Sequence, residues 1–105
     1  MLISRAFIER EQFETAVKKV EQQLRPHVLR IRYDLDYDST GDPAAYFKIV
    51  LPDESFAKEK LLEQTRYVSF VIEQKLQPQR RWGINPYFRF RSSSEQERMQ
   101  EPAWV

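Results

Sequence analysis

The chain has no cysteine, one histidine and two glycines among 105 residues. Without thiols, disulfide staples and thiolate metal sites are excluded, and a reducing compartment is the natural setting. His27 alone leaves almost no material for a zinc cluster or a nucleophile–base pair, and it is expected at a strand start making an ordinary hydrogen bond. No apolar run approaches the roughly 18 residues that span a bilayer. The first residues, Met1 to Glu11, become charged too soon for a signal peptide, so a cytoplasmic protein without a membrane partner is expected. No cofactor is implied. The 17 basic and 16 acidic residues leave a net charge of +1, and that balance points to no polyanion partner.

What is present is organised around Val28–Leu51. Leu29, Ile31, Tyr33, Leu35 and Tyr37 alternate with Arg30, Arg32, Asp34, Asp36 and Asp38. Side chains on a strand alternate between faces, so this run has one apolar and one charged face, the signature of a half-buried antiparallel strand. The returning run separates Ala45, Phe47, Ile49 and Leu51 from Tyr46, Lys48 and Val50. Asp38-Ser39-Thr40-Gly41-Asp42-Pro43 between them is turn chemistry, with Gly41 free to take positive φ. Opposing Asp38 to Ala44 keeps like faces together and sets Lys48 across from Asp34; only even shifts of register compete.

Ahead of the hairpin, Phe13, Val17, Val20 and Leu24 form one helical stripe that Pro26 ends. Leu2, Ile3, Phe7 and Ile8 open that helix or lead into it extended. After the hairpin, Asp53 or Ser55 caps a second helix of roughly 22 residues, striped by Ala57, Leu61, Val68, Ile72 and Leu76 and widened by Leu62, Phe70 and Val71. Gln77–Pro86 reads as a loop and Tyr87–Arg91 as a short third strand with Phe88 and Phe90 inward. Residues 95–105 form a tail, one helical turn or loose, with Trp104 as a possible anchor.

The expectation is one α+β domain over residues 1–94. It is a two-layer α-β-β-α-β arrangement, with a mainly antiparallel three-stranded sheet of order 2-1-3 and two helices on one face. Its core is Phe13, Val17, Val20, Leu29, Ile31, Leu35, Phe47, Ile49, Leu61, Val68, Ile72, Phe88 and Phe90.

Three features carry candidate chemistry. Asp34, Asp36 and Asp38 at period two are similar to the strand carboxylates with which polymerase-β-type nucleotidyltransferases hold magnesium. The Gly-Ser step and the third carboxylate of such enzymes have no counterpart here, and Lys48 opposite Asp34 fills the cation's place. Cross-strand ion pairing is therefore the stronger reading, and Asp34 and Asp36 remain a weak metal alternative. Thr40-Gly41-Asp42 is a hairpin loop before it is a phosphate nest. The third feature is the polar sheet face, where Arg30, Arg32, Tyr46, Lys48, Tyr87, Arg89 and Arg91, sharing it with Asp34 and Asp36, suit a protein interface or the stacking of single-stranded nucleic acid. Between Gln74 and Arg91 the chain has five basic residues and no acid.

Arg30-Ile31-Arg32-Tyr33 with Asp38-Ser39-Thr40-Gly41-Asp42-Pro43, and Tyr87–Gln96 leading to Trp104, resemble a family of small bacterial proteins without assigned activity. Members of that family are variably encoded beside helical HEPN-type proteins. The resemblance covers about half the chain. It implies a protein partner or a toxin–antitoxin-like module, and it directs attention to Asp38, Gly41, Asp42 and Pro43 in the hairpin loop and to Ser94-Glu95-Gln96. The leading expectation is a non-enzymatic interaction protein with a protein partner or a homo-oligomer contact. The alternative is a nucleic-acid-binding or nucleotidyltransferase-like module.

Overall fold

The computed structural model describes residues 4–57 and 59–105. Leu2 and Ile3, assigned above to the lead-in, lie outside the described residues. Helix α1 (Arg5–Ile8) is capped by Ser4, whose hydroxyl accepts the Ala6 N–H, and helix α2 (Arg10–Gln23) buries Phe13, Val17 and Val20. Strands β1 (Arg30–Tyr37) and β2 (Pro43–Leu51) form the hairpin. A 3-10 turn (Asp53–Phe56) precedes helix α3 (Leu61–Leu76). Helix α4 (Pro78–Trp82) and strand β3 (Asn85–Ser92) follow, and then helix α5 (Ser93–Met99) and a 3-10 turn (Pro102–Trp104).

The protein is α+β with a mixed three-stranded sheet of order β1-β2-β3, antiparallel between β1 and β2 and parallel between β2 and β3. This corrects the expected order 2-1-3. The reason lies in β2 itself. On its second face Ala44 and Val50 are as buried as Ala45, Phe47, Ile49 and Leu51 on the first. A strand apolar on both faces belongs in the middle, whereas a strand with one fully charged face tolerates an edge.

The hairpin register also differs, by two residues. Asp34 pairs with Tyr46, and Lys48 with Arg32. Asp38 and Asp42 close a three-residue turn, through Asp38 N–H to Asp42 O at 2.8 Å and Gly41 N–H to Asp38 O at 2.9 Å. Gly41 takes φ +85° in the left-handed position that three-residue hairpin loops require. The tighter turn moved the register by an even step, so the two faces stayed intact.

The core joins α2, α3 and the odd-numbered side of the hairpin. Phe13, Val17, Val20, Leu24, Ile31, Phe47, Ile49, Val68, Ile72 and Leu76 pack together, with Tyr33, Leu35, Phe88 and Phe90 partly buried against them. Phe13 meets Tyr33 and Trp82 edge-on at 5.0 and 5.2 Å.

Four expectations of burial fail. Ala57, placed in the stripe of the second helix, lies ahead of α3 and is exposed. Leu29 precedes β1 and is 45% exposed. Leu62 and Phe70 point outward from α3, because Phe70 falls midway between Val68 and Ile72 and 100° per residue puts it on the opposite side. The helix is also shorter than expected at 16 residues. Lys60 caps it without a side-chain bond, because the expected caps Asp53 and Ser55 lie in the 3-10 turn ahead of it. The expected loop after α3 contains α4, with buried Trp82 accepting a 2.9 Å bond from the Ser4 hydroxyl.

Candidate functional site

The even-numbered side chains of β1 and β2 share the polar face with the odd-numbered ones of β3, and the register ranks them in rows. Asp36, Ala44 and Asn85 form the first row, and Asp34, Tyr46 and Tyr87 the second. Arg32, Lys48 and Arg89 form a basic third row, and Arg30, Val50 and Arg91 the fourth.

The fourth row is covered by the chain's own C-terminal segment. Arg91, only 6% exposed, lays its guanidinium over the Trp104 ring at 4.1 Å. It donates to Gln96 Oε1 at 2.8 Å and reaches Glu101 at 3.4 Å, with Glu95 at 3.9 Å. Arg30 donates to the Trp104 carbonyl at 2.9 Å, and Arg32 to the Val105 carbonyl at 2.8 Å. Asp53 accepts from both the N–H and the hydroxyl of Ser94, and Ser92 caps α5 through Glu95 N–H. The Ser94 hydroxyl, first among these bonds, holds the Asp53 carboxyl below its usual range. Helices α2 and α3 thus pack on the apolar side of the sheet, and α5 with Trp104 lies against part of the other.

The loop residues build the loop. One Asp38 carboxylate oxygen accepts from the Thr40 hydroxyl (2.6 Å), Thr40 N–H (3.0 Å) and Asp42 N–H (3.0 Å). The other accepts from Tyr87 Oη at 2.9 Å and Asn85 Nδ2 at 3.2 Å, spanning from the hairpin tip to β3. These bonds, the Thr40 hydroxyl foremost, push the Asp38 carboxyl far below the ordinary carboxylate range. The same bond raises the Tyr87 phenol, because ionising it would remove the proton it donates to Asp38 and set a second negative charge beside that carboxylate. The Asp42 carboxylate lies 3.1 Å from the Thr40 hydroxyl. No amide cradle is left over for phosphate.

Lys48 forms an ion pair with Asp34 across the diagonal, so the cation of the third row fills the position where a metal on Asp34 would sit. Asp36 accepts from Tyr37 N–H at 2.7 Å. Among the described residues, no three His, Cys, Asp or Glu side chains are grouped to hold a metal ion. His27 lies on the surface with its ring edge-on to Tyr67 at 5.2 Å.

Of the nine binding candidates, Arg30, Arg32 and Arg91 hold the C-terminal segment, Asp38, Gly41 and Asp42 shape the turn, Tyr87 is tied to Asp38, and Lys48 is paired with Asp34. Arg89 is exposed and takes part in none of these contacts. Tyr46, set on the polar face by its period-two step with Lys48, stacks on Tyr87 with centroids 5.1 Å apart and planes 15° from parallel.

The fold and surface define a small α+β protein with a partly covered polar sheet face. Compared with protein-family models, with curated proteins and with solved structures, the chain matches none.

Proposed function

We propose that the protein is a non-enzymatic protein-interaction module, and that the uncovered part of the polar sheet face receives the partner. The observation that carries this reading is the strip of half-buried Tyr46 stacked on exposed Tyr87 beside exposed Arg89, bordered by a closed hairpin turn on one side and the docked C-terminal segment on the other. Tyrosine and arginine are the residue types that dominate interface energetics, and a stacked, hydrogen-bonded tyrosine loses little freedom on binding. Arg89 suits a partner that presents a carboxylate.

The nucleic-acid alternative draws on the basic row of Arg32, Lys48 and Arg89. Glu21 at 3.5 Å from Arg32 and the Asp34–Lys48 pair offset two of those charges, and each tyrosine ring gives one face to the other rather than to a base. A helical partner of HEPN type, which the family resemblance implies, is the protein to test first.

A photo-crosslinking side chain at position 89, with position 74 on α3 as control, tests the reading in native lysate. A nuclease-insensitive protein adduct specific to position 89, lost in Tyr46→Ala, is expected. A nuclease-sensitive adduct, or equal labelling at both positions, overturns it.

A further inference from the structure

Strand β1 is one edge of the sheet, and its outward backbone groups can be assigned from the register. Asp38 and Asp42 form a hydrogen-bonded pair, so the even-numbered residues of β1 face β2 and the odd-numbered ones turn their N–H and C=O outward. The two ends of this edge are blunted from within the chain. Ile31 N–H donates to Glu21 at 2.7 Å and Ile31 O accepts from Arg32 at 3.0 Å, while Tyr37 N–H donates to Asp36. Between them, Tyr33 and Leu35 present outward donors and acceptors, and their side chains are only half-buried. Natural edges are ordinarily blunted along their length. Here the middle is open.

We propose that this edge pairs with β1 of a second copy, antiparallel about a two-fold axis at Asp34, to give one continuous six-stranded sheet. In that register Tyr33 exchanges both backbone bonds with the partner's Leu35, and Leu35 with the partner's Tyr33. Arg32 lies opposite the partner's Asp36 and Asp36 opposite the partner's Arg32. Arg32 keeps its Nη2 group for this contact, because its present bonds use Nε and Nη1. The two Asp34 carboxylates meet at the axis, each already neutralised by Lys48 of its own chain.

Neighbouring registers fit less well. Centring on Leu35 sets Asp34 against the partner's Asp36 twice, and like charges directly opposite destabilise a sheet. Centring on Tyr33 needs, for its inner pairs of Ile31 with the partner's Leu35, the Ile31 amide that Glu21 holds, whereas the Asp34-centred register meets Ile31 only at its outer ends. The other sheet edge, β3, carries the exposed Arg89 and no acid of its own, so a self-pairing centred there would oppose two arginines.

Side chains on the apolar side agree. Tyr37 is 46% exposed at one end of β1. At the other end a cleft of about 420 Å³ opens between α2 and β1, lined by Glu14, Val17, Lys18, Ile31, Arg32 and Tyr33. The two-fold register sets the partner's Tyr37 opposite Ile31, at the mouth of that cleft, and the symmetry repeats the exchange. An aromatic anchor entering a pocket at each end is the usual core of a stable interface.

This contact is independent of the Tyr46–Tyr87–Arg89 strip, so Arg89→Glu should leave it intact. Light scattering across a concentration series, paired with amide hydrogen exchange on the full chain, tests it. The expected mass is twice the 12.7 kDa of one chain. Exchange at Tyr33 and Leu35 should slow at least about tenfold as concentration rises. Asp36→Arg opposes a second arginine to the partner's Arg32 and should return the protein to monomer with an unchanged circular dichroism spectrum. Tyr37→Ser, which leaves the strand's charges alone, should weaken the dimer as well. A monomer at millimolar concentration, a dimer whose Tyr33 and Leu35 amides exchange at the monomer rate, or assembly that grows past the dimer by β1–β3 contact would each overturn the proposal.

Discussion

Arg91 and Trp104 form the contact by which the end of the chain is held to the sheet: a guanidinium 4.1 Å from the indole centroid, both residues at most 6% exposed. Arginine suits this position because its planar, weakly hydrated cation stacks on an aromatic ring while its N–H groups serve Gln96 and Glu101. On an isolated sheet that face would be solvated; here its fourth row is core.

Trp104→Ala should therefore cost about 3 kcal/mol, as the loss of a large buried aromatic does. The loss should be local. Amides of α5 should lose hydrogen-exchange protection, while those of β2 change only with global stability. Unchanged α5 protection would show that the helix stands without its anchor.

Asp38 makes an acid-side prediction. Its folded pKa is depressed, so its contribution to stability is present above the unfolded value of about 4 and is lost as pH falls through the folded one. In a carbon-detected NMR titration Asp38 should remain ionised well below the ordinary range of an aspartate carboxyl. Asp38→Asn should flatten the part of the acid unfolding curve that this group supplies. Titration of Asp38 at the ordinary value would count against the bonding described.

The alkaline side offers a matched check. Tyr87 is raised by its bond to Asp38, so the stability it lends is present below about pH 10 and lost as pH rises through its folded value. Burial also raises the Tyr33 phenol, so ultraviolet titration should show two tyrosines ionising late, and Asp38→Asn should lower one of them while Tyr33 stays late. Two late tyrosines in the variant would count against the Asp38 bond.

Gly41 isolates backbone conformation from packing. A Cβ there would meet no atom within 4 Å, yet φ is +85°. Gly41→Val should cost more than about 1 kcal/mol and Gly41→Asn much less, since asparagine tolerates the left-handed region. Equal melting midpoints for the two variants would contradict a conformational cause.

Phe13 joins α2 to β1 and α4 through its edge-on contacts with Tyr33 and Trp82. Phe13→Ala should cost about 3–5 kcal/mol. A chemical denaturation midpoint within error of wild type would place the core elsewhere.

The local patterns were legible in the sequence. The Phe13–Leu24 stripe, the alternation across Ile31 and Phe47, and the positive φ at Gly41 follow from periods of 3.6 and 2 and from turn chemistry. Strand order was not, although burial of Ala44 and Val50 on the second face of β2 is a signal that composition alone can carry. The candidate site was legible as a set of residues and misleading as a set of roles. Arg30, Arg32 and Arg91 look like a binding face until the segment that covers them is placed, and nothing local links Trp104 to Arg30 across 74 positions. Asp38 was singled out in the sequence as a binding candidate, but its partners Asn85 and Tyr87 lie on another strand, and through them its carboxylate braces the hairpin tip against β3.

The parallel pairing of β2 with β3 has a kinetic consequence. The β1–β2 hairpin closes through a three-residue turn, whereas β3 cannot reach β2 until residues 52–84 have been led across the apolar face. Contacts of such sequence separation form late, because loop closure must precede their reward. The Arg91–Trp104 contact needs β3 in place first and so belongs to the last step. Indole fluorescence from Trp104 then reports the arrival of the native state, while a nascent chain that ends before β3 holds the hairpin with one side of β2 uncovered.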